Sequence, residues 1–276
     1  MRRISTIAEL RAALRTAPRP LGLVPTMGAL HEGHLSLVRA ARAECATVAA
    51  SIFVNPTQFG AGEDFAAYPR PLTGDLAKLE AEGVDFAFTP SAEEMYPPGF
   101  ASTVRVRGPA LSLEGEARPG HFDGVATVVT KLLTQSWPDR AYFGRKDGQQ
   151  VAVARRLARD LDLPAEIIAM PTVREADGLA MSSRNAYLSA EQRAAAPALY
   201  RALSAARDLF RAGRQRSPEV EAACRRILEA EPLIDAIDYV AVVDADTMGP
   251  PGAGERMLAA AVRMGGVRLI DNVTLD

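Results

Sequence analysis

Two histidines, His31 and His34, lie three residues apart in the stretch Pro25-Thr26-Met27-Gly28-Ala29-Leu30-His31-Glu32-Gly33-His34. The apolar run before this stretch and the helical spacing of apolar residues after it predict a strand, a glycine-containing turn and a helix. A helix N-terminus suits a phosphate, because it presents unpaired N–H groups and a partial positive charge. Imidazoles there can donate hydrogen bonds to the phosphate. We therefore favour a phosphate site over the simpler alternative that the two histidines only cap the helix.

A second polar loop, Asn55-Pro56-Thr57-Gln58-Phe59-Gly60, follows the apolar run 48–54. The Gln58 amide can both donate and accept hydrogen bonds, which suits a small molecule that carries hydroxyl and carboxylate groups. A surface amide without function explains the residue equally well. His121 stands before another predicted helix, and taken alone it is more typical of a structural histidine.

The third loop is Gly144-Arg145-Lys146-Asp147-Gly148-Gln149-Gln150, again a strand end followed by a helix. Lys146 could neutralise a phosphate, Asp147 could hold a ribose hydroxyl or cap the helix, and Gln150 could face a substrate. A capped helix start with solvated charges is the alternative.

The fourth loop spans residues 173–185 and contains Ser182, Ser183 and Arg184. Two hydroxyls beside a guanidinium form a compact donor cluster suited to a triphosphate. Gly178 could allow the loop to close over a nucleotide. A serine-rich and asparagine-rich helix-capping loop is the alternative.

The elements that must position these loops alternate between strands and helices. We predict strands at 21–24, 48–54, 84–88, 140–143 and 166–170, and a further strand at 103–106. Helices are predicted after Thr6, after the His31 turn, and at 75–82, 123–136 and 149–161. This alternation predicts an α/β fold with a doubly wound parallel sheet, in which ligands bind at the carboxyl ends of the strands. The four polar loops should therefore meet in one site.

Beyond residue 171 the pattern changes. Helices at 189–212 and 217–230 precede strands at 237–243, 257–263 and 267–270, with a hairpin signal at Gly265-Gly266. We expect two domains, a Rossmann-like domain at 1–172 and a smaller α+β domain at 173–276.

Composition excludes several classes of protein. The 276 residues carry a net charge of −2 with a pI near 6.0, so no broad basic surface indicates nucleic acid or an anionic membrane. The sequence contains no run of about 18 uninterrupted apolar residues, so we expect no transmembrane helix. It also contains no P-loop motif and no spacing typical of zinc ligands. The two cysteines, Cys45 and Cys224, are interpreted as buried hydrophobic residues in a reducing compartment. We expect a cytoplasmic protein.

Taken together, the loops resemble the pantothenate synthetases, the pantoate–β-alanine ligase family, over essentially the whole chain. The His-x-Gly-His element is also similar to that of the wider nucleotidyltransferase superfamily, which includes class I aminoacyl-tRNA synthetases. The segments that carry the resemblance are 25–34, Phe53-Val54-Asn55-Pro56-Thr57-Gln58-Phe59, Tyr68-Pro69-Arg70, Gly120-His121-Phe122, Lys146-Asp147, Gln149-Gln150 and Met181-Ser182-Ser183-Arg184-Asn185.

The resemblance implies a Rossmann-like nucleotidyltransferase domain with a C-terminal lid domain. It implies that pantoate and ATP form a pantoyl adenylate with release of pyrophosphate, and that β-alanine then attacks to give pantothenate and AMP. It also implies Mg²⁺ and a homodimer.

The resemblance further assigns roles to individual residues. His34, as the proton donor, would act in catalysis with His31, Lys146 and Arg184. Gln58 would contact pantoate and β-alanine, Gln150 would hold pantoate, Tyr68 and His121 would contribute to the substrate site, and Asp75 would be a candidate metal ligand. The implied ATP-binding residues are Met27, Gly28, Ala29, Leu30, His31, Glu32, Gly33, His34, Gly144, Arg145, Lys146, Asp147, Val173, Met181, Ser182, Ser183 and Arg184.

Two residues depart from the family pattern. Arg145 stands where the family usually has Glu, and Gly148 stands where it usually has an aromatic residue. Gly148 would remove a packing side chain and Arg145 would reverse a charge beside the phosphate loop. Asp75 also lacks the acidic or amide neighbours expected around magnesium, so the metal could arrive mainly with ATP. We predict slower turnover or weaker ATP binding than in relatives, and a change in kinetics on Gly148→Phe with Arg145→Glu.

Three other functions remain open on the sequence. A nucleotidyltransferase that stops at an adenylylated product would release pyrophosphate but not AMP, and Gln58 and Gln150 favour the ligase instead. A tRNA-charging or RNA-binding protein conflicts with the net charge of −2. A weakened binding protein would bind nucleotide without turnover.

Overall fold

The computed structural model describes residues 1–213 and 216–276, which form a parallel sheet with helices on both faces and a smaller antiparallel sheet. The strands of the parallel sheet are β1 (Arg2–Ile4), β2 (Leu21–Thr26), β3 (Thr47–Ile52), β4 (Phe86–Phe88), β5 (Arg140–Gly144) and β6 (Glu166–Met170). The helices among them are α1 (Ile7–Arg15), α2 (Glu32–Glu44), α3 (Leu72–Ala81), α4 (Ala92–Met95), α5 (Glu114–Ala117), α6 (His121–Ser136) and α7 (Gly148–Asp160). The α/β class predicted from the sequence is confirmed.

The strand order of the parallel sheet is β1-β4-β3-β2-β5-β6, and every adjacent pair is parallel. The chain passes from β2 to one side of the sheet for β3 and β4, and to the other side for β5 and β6. The carboxyl ends of β2 and β5 therefore flank the point where the order reverses, which is where doubly wound sheets bind ligands. The loops after residues 26, 52, 144 and 170 are brought to this edge.

Both faces of the sheet are covered by apolar helix faces. Helices α1, α6 and α7 pack on one face through residues such as Leu10, Val125 and Leu157. Helices α2 and α3 pack on the other face through Val38 and Leu79. Burial on both faces explains the almost unbroken apolar sequence of the central strands. No helix within the described residues is long and apolar enough to cross a membrane.

The second sheet has the order β7-β8-β9 and is antiparallel. Gly265 and Gly266 have positive φ angles, 57° and 82°, in the turn between its last two strands, as the hairpin signal predicts. We retain the division at residue 172 as a proposal, supported by the separate core that α9 and α10 form on this sheet. Its elements are α8 (Ala190–Ala195), α9 (Ala198–Arg211), α10 (Ser217–Glu229), β7 (Ala236–Asp244), β8 (Arg256–Met264) and β9 (Val267–Thr274).

Two secondary-structure predictions are wrong, and one strand was not predicted. Residues 103–106 form no strand, because the Val104 N–H donates to the Thr127 hydroxyl of α6 rather than to a strand. The helix expected over 189–212 is two helices, since the chain breaks before Pro197 and restarts at α9. Strand β1 was missed, because its three residues pair with β4, more than 80 positions away. Cys45 and Cys224 are buried and free, as predicted.

Candidate active site

A cavity of ≈ 700 Å³ lies at the carboxyl edge of the parallel sheet, between that edge and the C-terminal strands. The four polar loops singled out in the sequence all contribute to its wall, so the predicted single site is present as one cavity. Of the proposed site residues, those lining it are Met27, His31, Gly33, His34, Gln58, Tyr68, His121, Gly144, Lys146, Asp147, Gln150, Val173, Met181, Ser182, Ser183 and Arg184.

His31 and His34 both face this cavity and also cap helix α2. Nδ1 of His31 accepts the Gly33 N–H at 3.2 Å, and Nδ1 of His34 accepts the His31 N–H at 3.4 Å. A ring nitrogen that accepts a backbone N–H carries no proton, so in the neutral rings the proton lies on Nε2. Capping and ligand binding were alternatives on the sequence. In the structure the caps fix the tautomer that leaves both Nε2–H groups available to a ligand.

The environment of these rings keeps them uncharged. Burial, followed by the nearby Lys146 ammonium, lowers the pKa of His31 to about 4. Burial and the adjacent His31 lower the pKa of His34 to about 3. The two ring centroids are only 4.2 Å apart, which opposes charging both. At neutral pH the pair is therefore a set of neutral hydrogen-bond donors.

Asp75 holds the turn before α2 from behind. Its two carboxylate oxygens accept the Ala29 and Leu30 N–H groups at 2.8 Å each, and the side chain is 1 % exposed. Ala29 has a positive φ of 49°, so these bonds also stabilise an unfavourable backbone conformation. The carboxylate is thus engaged with the backbone and lies outside the cavity wall. No group of three acidic, His or Cys side chains suited to a metal occurs within residues 1–213 and 216–276.

Gln58 is held on both its side chain and its backbone. Oε1 accepts from Nδ2 of Asn55 at 3.1 Å, so the Gln58 amide nitrogen points toward Sδ of Met27 at 3.1 Å and into the cavity. Asn55 is oriented in turn, because its Oδ1 accepts the Tyr96 hydroxyl at 2.7 Å. This fixed amide orientation offers a donor to an acidic or hydroxylated ligand.

His121 supports Gln58 from the other side. Nδ1 of His121 donates to the Gln58 carbonyl at 2.8 Å, and Nε2 accepts from Arg118 at 3.1 Å. Burial and the Arg118 charge lower the pKa of His121 to about 4. Both ring nitrogens are therefore used within the protein. Arg118 is held by Glu63 at 2.6 Å.

The cationic groups of the cavity wall belong to the third and fourth loops. Lys146 Nζ is 3.4 Å from Asp147 Oδ1, and its side chain is 20 % exposed. Burial opposes ionisation of Asp147, but the charges of Lys146 and Arg184 outweigh it and lower the pKa of Asp147. A phosphate could thus meet an ammonium that is already partly desolvated.

Arg184 lies in the 3-10 turn Ser183–Tyr187, and the Ser182 hydroxyl before this turn caps the Arg184 N–H. Its guanidinium makes a bidentate pair with Asp64, both bonds 2.9 Å long. The Tyr68 hydroxyl is 3.1 Å from the Ser183 hydroxyl. The donor cluster of the fourth loop is therefore fastened to the loop after β3.

Five of the residues that the resemblance assigns to ATP do not reach the cavity wall: Gly28, Ala29, Leu30, Glu32 and Arg145. Glu32 pairs with Arg39 on the protein surface. Arg145 pairs with Glu255 of the C-terminal part at 3.1 Å, so its charge is balanced by a carboxylate outside the cavity wall. The expected charge reversal beside the cavity is therefore compensated.

Gly148 is the first residue of α7 and has little space around it. A Cβ at this position would lie 2.8 Å from Sδ of Met257 and 3.2 Å from Nδ2 of Asn272. The volume that an aromatic side chain would need is filled by residues of β8 and β9. The expected packing defect at Gly148 is therefore absent.

The family model for pantoate–β-alanine ligase matches residues 2–274. This chain belongs to the pantoate–β-alanine ligase family. It is 56 % identical to the pantothenate synthetase of Roseiflexus sp. (strain RS-1), with 100 % of each chain covered. It is 54 % identical to the pantothenate synthetase of Moorella thermoacetica, with 100 % of this chain and 99 % of that one covered.

Solved structures of the same family share the fold. Pantothenate synthetase from Thermus thermophilus is 51 % identical and superposes with a TM-score of 0.94, covering 100 % of this chain and 99 % of that one. The Francisella tularensis ligase, solved in complex with β,γ-ATP and β-alanine, is 33 % identical with a TM-score of 0.81, covering 100 % and 98 %. The predicted Rossmann-like architecture with a smaller C-terminal unit is confirmed.

Proposed function

We propose that this protein is a pantoate–β-alanine ligase that uses ATP to condense pantoate with β-alanine, forming pantothenate, AMP and pyrophosphate. The observation that supports this most is the cavity that is lined both by possible phosphate donors on three loops and by the fixed amide of Gln58. Family membership and the ATP and β-alanine bound to the Francisella relative agree with it.

In the first step, a carboxylate oxygen of pantoate attacks the α-phosphorus of ATP and pyrophosphate leaves. Both partners are anions, so the protein must offset their repulsion. We assign this to Lys146 and Arg184, with Ser182 and Ser183 adding neutral donors. His31 and His34 then contribute Nε2–H hydrogen bonds to phosphate oxygens, so the proton donation expected of His34 is hydrogen-bond donation from a neutral ring.

In the second step, the amine of β-alanine attacks the acyl carbon of the adenylate and AMP leaves. Water would hydrolyse the same mixed anhydride, so the site must exclude it. The Tyr68–Ser183 and Arg184–Asp64 contacts join two of the loops that line the cavity, and we assign the exclusion of water to this joined wall. We assign Gln58 to both acids and Gln150 to pantoate, and we place Val173 and Met181 against the nucleotide.

The donor set of the cavity does not suit a magnesium ion held by protein alone. Asp75 is engaged with backbone N–H groups, so we propose that any Mg²⁺ is carried by the ATP phosphates, as this ion commonly is. A homodimer remains a proposal that rests on the family resemblance, and a cytoplasmic location remains a proposal that rests on the composition of the chain.

Measuring AMP release with ATP, Mg²⁺ and pantoate, with and without β-alanine, tests the function. We expect multiple-turnover AMP release and pantothenate only when β-alanine is present. Pyrophosphate–ATP exchange that depends on pantoate should occur without β-alanine. The proposal would be contradicted if the rate of AMP formation were the same with and without β-alanine, or if the folded protein gave no reaction.

A further inference from the structure

One side chain of strand β9, that of Asn272, contacts the loop of residues 144–150, which contains Lys146 and is called the lysine loop below. Asn272 is 9 % exposed, and its Nδ2 donates to the Arg145 carbonyl at 2.8 Å and to the Lys146 carbonyl at 2.9 Å. Both hydrogens of the amide group are used, and both acceptors belong to the turn that leads from β5 into α7. Although Asn272 lies 126 positions further along the chain than Lys146, it fixes the backbone from which the Lys146 side chain extends.

The preceding residue, Asp271, contacts the loop of residues 173–185, which contains Ser182, Ser183 and Arg184 and is called the serine–arginine loop below. Asp271 is 3 % exposed and accepts from Arg174 at 2.6 and 3.0 Å. Arg174 also donates to the Gly178 carbonyl at 3.1 Å and stacks on the Tyr200 ring, 3.6 Å from its centroid. Asp271 therefore anchors the segment that leads into residues 181–184.

Arg174 is coupled to the donor cluster through a short backbone ladder. Arg174 and Ala180 form an antiparallel bridge, and the Met181 N–H donates to the Val173 carbonyl at 3.0 Å. A change in the position of Arg174 would therefore move residues 180 and 181, directly before Ser182. The Asn272 N–H donates to Asp271 Oδ1 at 2.8 Å, which ties the two anchors together.

The geometry of a strand explains how two adjacent residues can serve two loops. Successive side chains point to opposite faces, so Asp271 and Asn272 reach in different directions from one rigid backbone. In β9 they pair with Ala260 and Ala259 of β8. The small residue at position 148 leaves the space in which the Asn272 amide lies.

We propose that Asp271 and Asn272 are positioning residues that set the distance between the two cationic loops to fit the phosphates of ATP. This rests on the proposed function, because it takes ATP as the ligand of both loops. Neither residue needs to touch the substrate. Their effect is on the placement of Lys146 and Arg184, and the C-terminal unit thereby becomes part of the ATP site.

Binding measurements on the full-length protein separate positioning from general stability. The variants are Asn272→Asp, which replaces two donated hydrogen bonds by repulsion between oxygens, and Asn272→Ala, which removes the donors without adding charge. Ser112→Ala is the matched control: the Ser112 hydroxyl donates to the Met248 carbonyl at 3.0 Å between the same two parts of the chain, and the substitution keeps the Ser112 backbone carbonyl, which accepts from Gln149. Calorimetry gives the Kd for a non-hydrolysable ATP analogue and, separately, for pantoate.

We expect Asn272→Ala to weaken binding of the ATP analogue about tenfold, as the loss of about one net hydrogen bond would, and Asn272→Asp to weaken it further. The Kd for pantoate should stay within about twofold for both, since Gln58 and Gln150 are not contacted. Ser112→Ala should change neither constant. If Asn272→Asp does not fold, the Asn272→Ala result decides.

Two results would overturn the inference while leaving the function intact. One is a wild-type affinity for the ATP analogue in both Asn272 variants. The other is an equal weakening of the analogue and pantoate, which would show a merely structural role. Failure of the wild-type protein to bind the ATP analogue would instead overturn the proposed function, and this inference with it.

Discussion

The two walls of the cavity use different kinds of donor. On the α2 side, His31 and His34 are neutral, and each is fixed by a backbone N–H bound to its Nδ1. On the other wall, formed by the loops of residues 144–150 and 173–185, Lys146 and Arg184 are cationic and are paired with the carboxylates of Asp147 and Asp64. The histidine donors are in place before a ligand binds. The cations are instead already paired with carboxylates, which a phosphate must displace or join.

The histidines thus supply hydrogen-bond donors of fixed orientation, whereas Lys146 and Arg184 supply positive charge. Neutral donors that are fixed in place need no rearrangement when charge develops on a phosphate. Cations supply the larger electrostatic effect, but their position depends on how the supporting loops are held. Substitutions on the cationic wall should therefore affect the reaction most.

Lys146→Ala should show the largest effect. Loss of the partly desolvated ammonium should lower kcat/KM for ATP by about 100-fold to 1,000-fold, the range found for removing one charge-stabilising donor. Lys131→Ala is the control, because Lys131 lies outside the cavity wall, over the rings of Phe100 and Tyr96, and its loss should leave kcat/KM for ATP unchanged. Steady-state kinetics of AMP release measures both. A loss below about fivefold would remove Lys146 from its assigned role.

Substitutions of His34 test whether a neutral hydrogen-bond donor at this position is sufficient for activity. The amide nitrogen of Gln can take the place of Nε2 without carrying a charge, so His34→Gln should retain more activity than His34→Ala. We expect losses in kcat/KM of about 10-fold and about 100-fold, in keeping with one donor of this type. Equal losses in the two variants would indicate that the imidazole transfers a proton, which the neutral-wall account does not include.

Gly148→Phe should impair this protein, although the family resemblance implies an aromatic residue there. The new side chain would overlap Met257, and such overpacking costs about 1–3 kcal/mol in free energy of unfolding. Met257→Ala in the same chain should recover part of the loss. Gly74→Ala in α3 is the control, since open space surrounds Gly74 and the change should stabilise by up to about 1 kcal/mol. Urea unfolding compares the variants. A Gly148→Phe protein of undiminished stability would refute the packing explanation.

The smallest predicted effect is the dependence of the free energy of unfolding on pH. The pKa of His31 is about 4 and that of His34 about 3, while unfolded histidines titrate near 6.5. Between these values the unfolded chain binds more protons, so the free energy of unfolding falls as pH drops below 6.5 toward 4. We expect a loss of about 1–2 kcal/mol per histidine between pH 7 and pH 5. Urea unfolding at both pH values measures it, and His34→Gln should reduce the loss. A pH-independent free energy would contradict it.

Much of the site could be predicted because its local patterns agree with the global fold. The apolar run 21–24, the Gly28 turn and the helical spacing after His34 together predicted β2 and α2. The alternation of elements then required that loops after parallel strands meet at one edge. These predictions depend on contacts close in sequence or on general topology, which one sequence reveals.

The rest depended on partners far apart in the chain. The direction of the Arg145 side chain is set by Glu255, and the space at Gly148 by Met257, so neither departure could be judged from its neighbours. Asp64 carried no signal as the partner of Arg184. Asn55 stood inside a motif that was singled out and Arg118 lies just before another, but only the structure shows Asn55 bonded to the Gln58 side chain and Arg118 bonded to His121. The break before Pro197 did have a local signal, the proline itself.

The chain has three histidines, so the protonation state of each can be observed directly by ¹⁵N NMR of the imidazole rings in the wild-type protein at pH 6. The account predicts three neutral rings, with the proton on Nε2 in His31 and His34 and on Nδ1 in His121. Nδ1 of His121 must carry it in order to donate to the Gln58 carbonyl. A doubly protonated His31 or His34 at that pH, or a proton on Nδ1 of either, would contradict the neutral, pre-oriented wall on which the comparison rests.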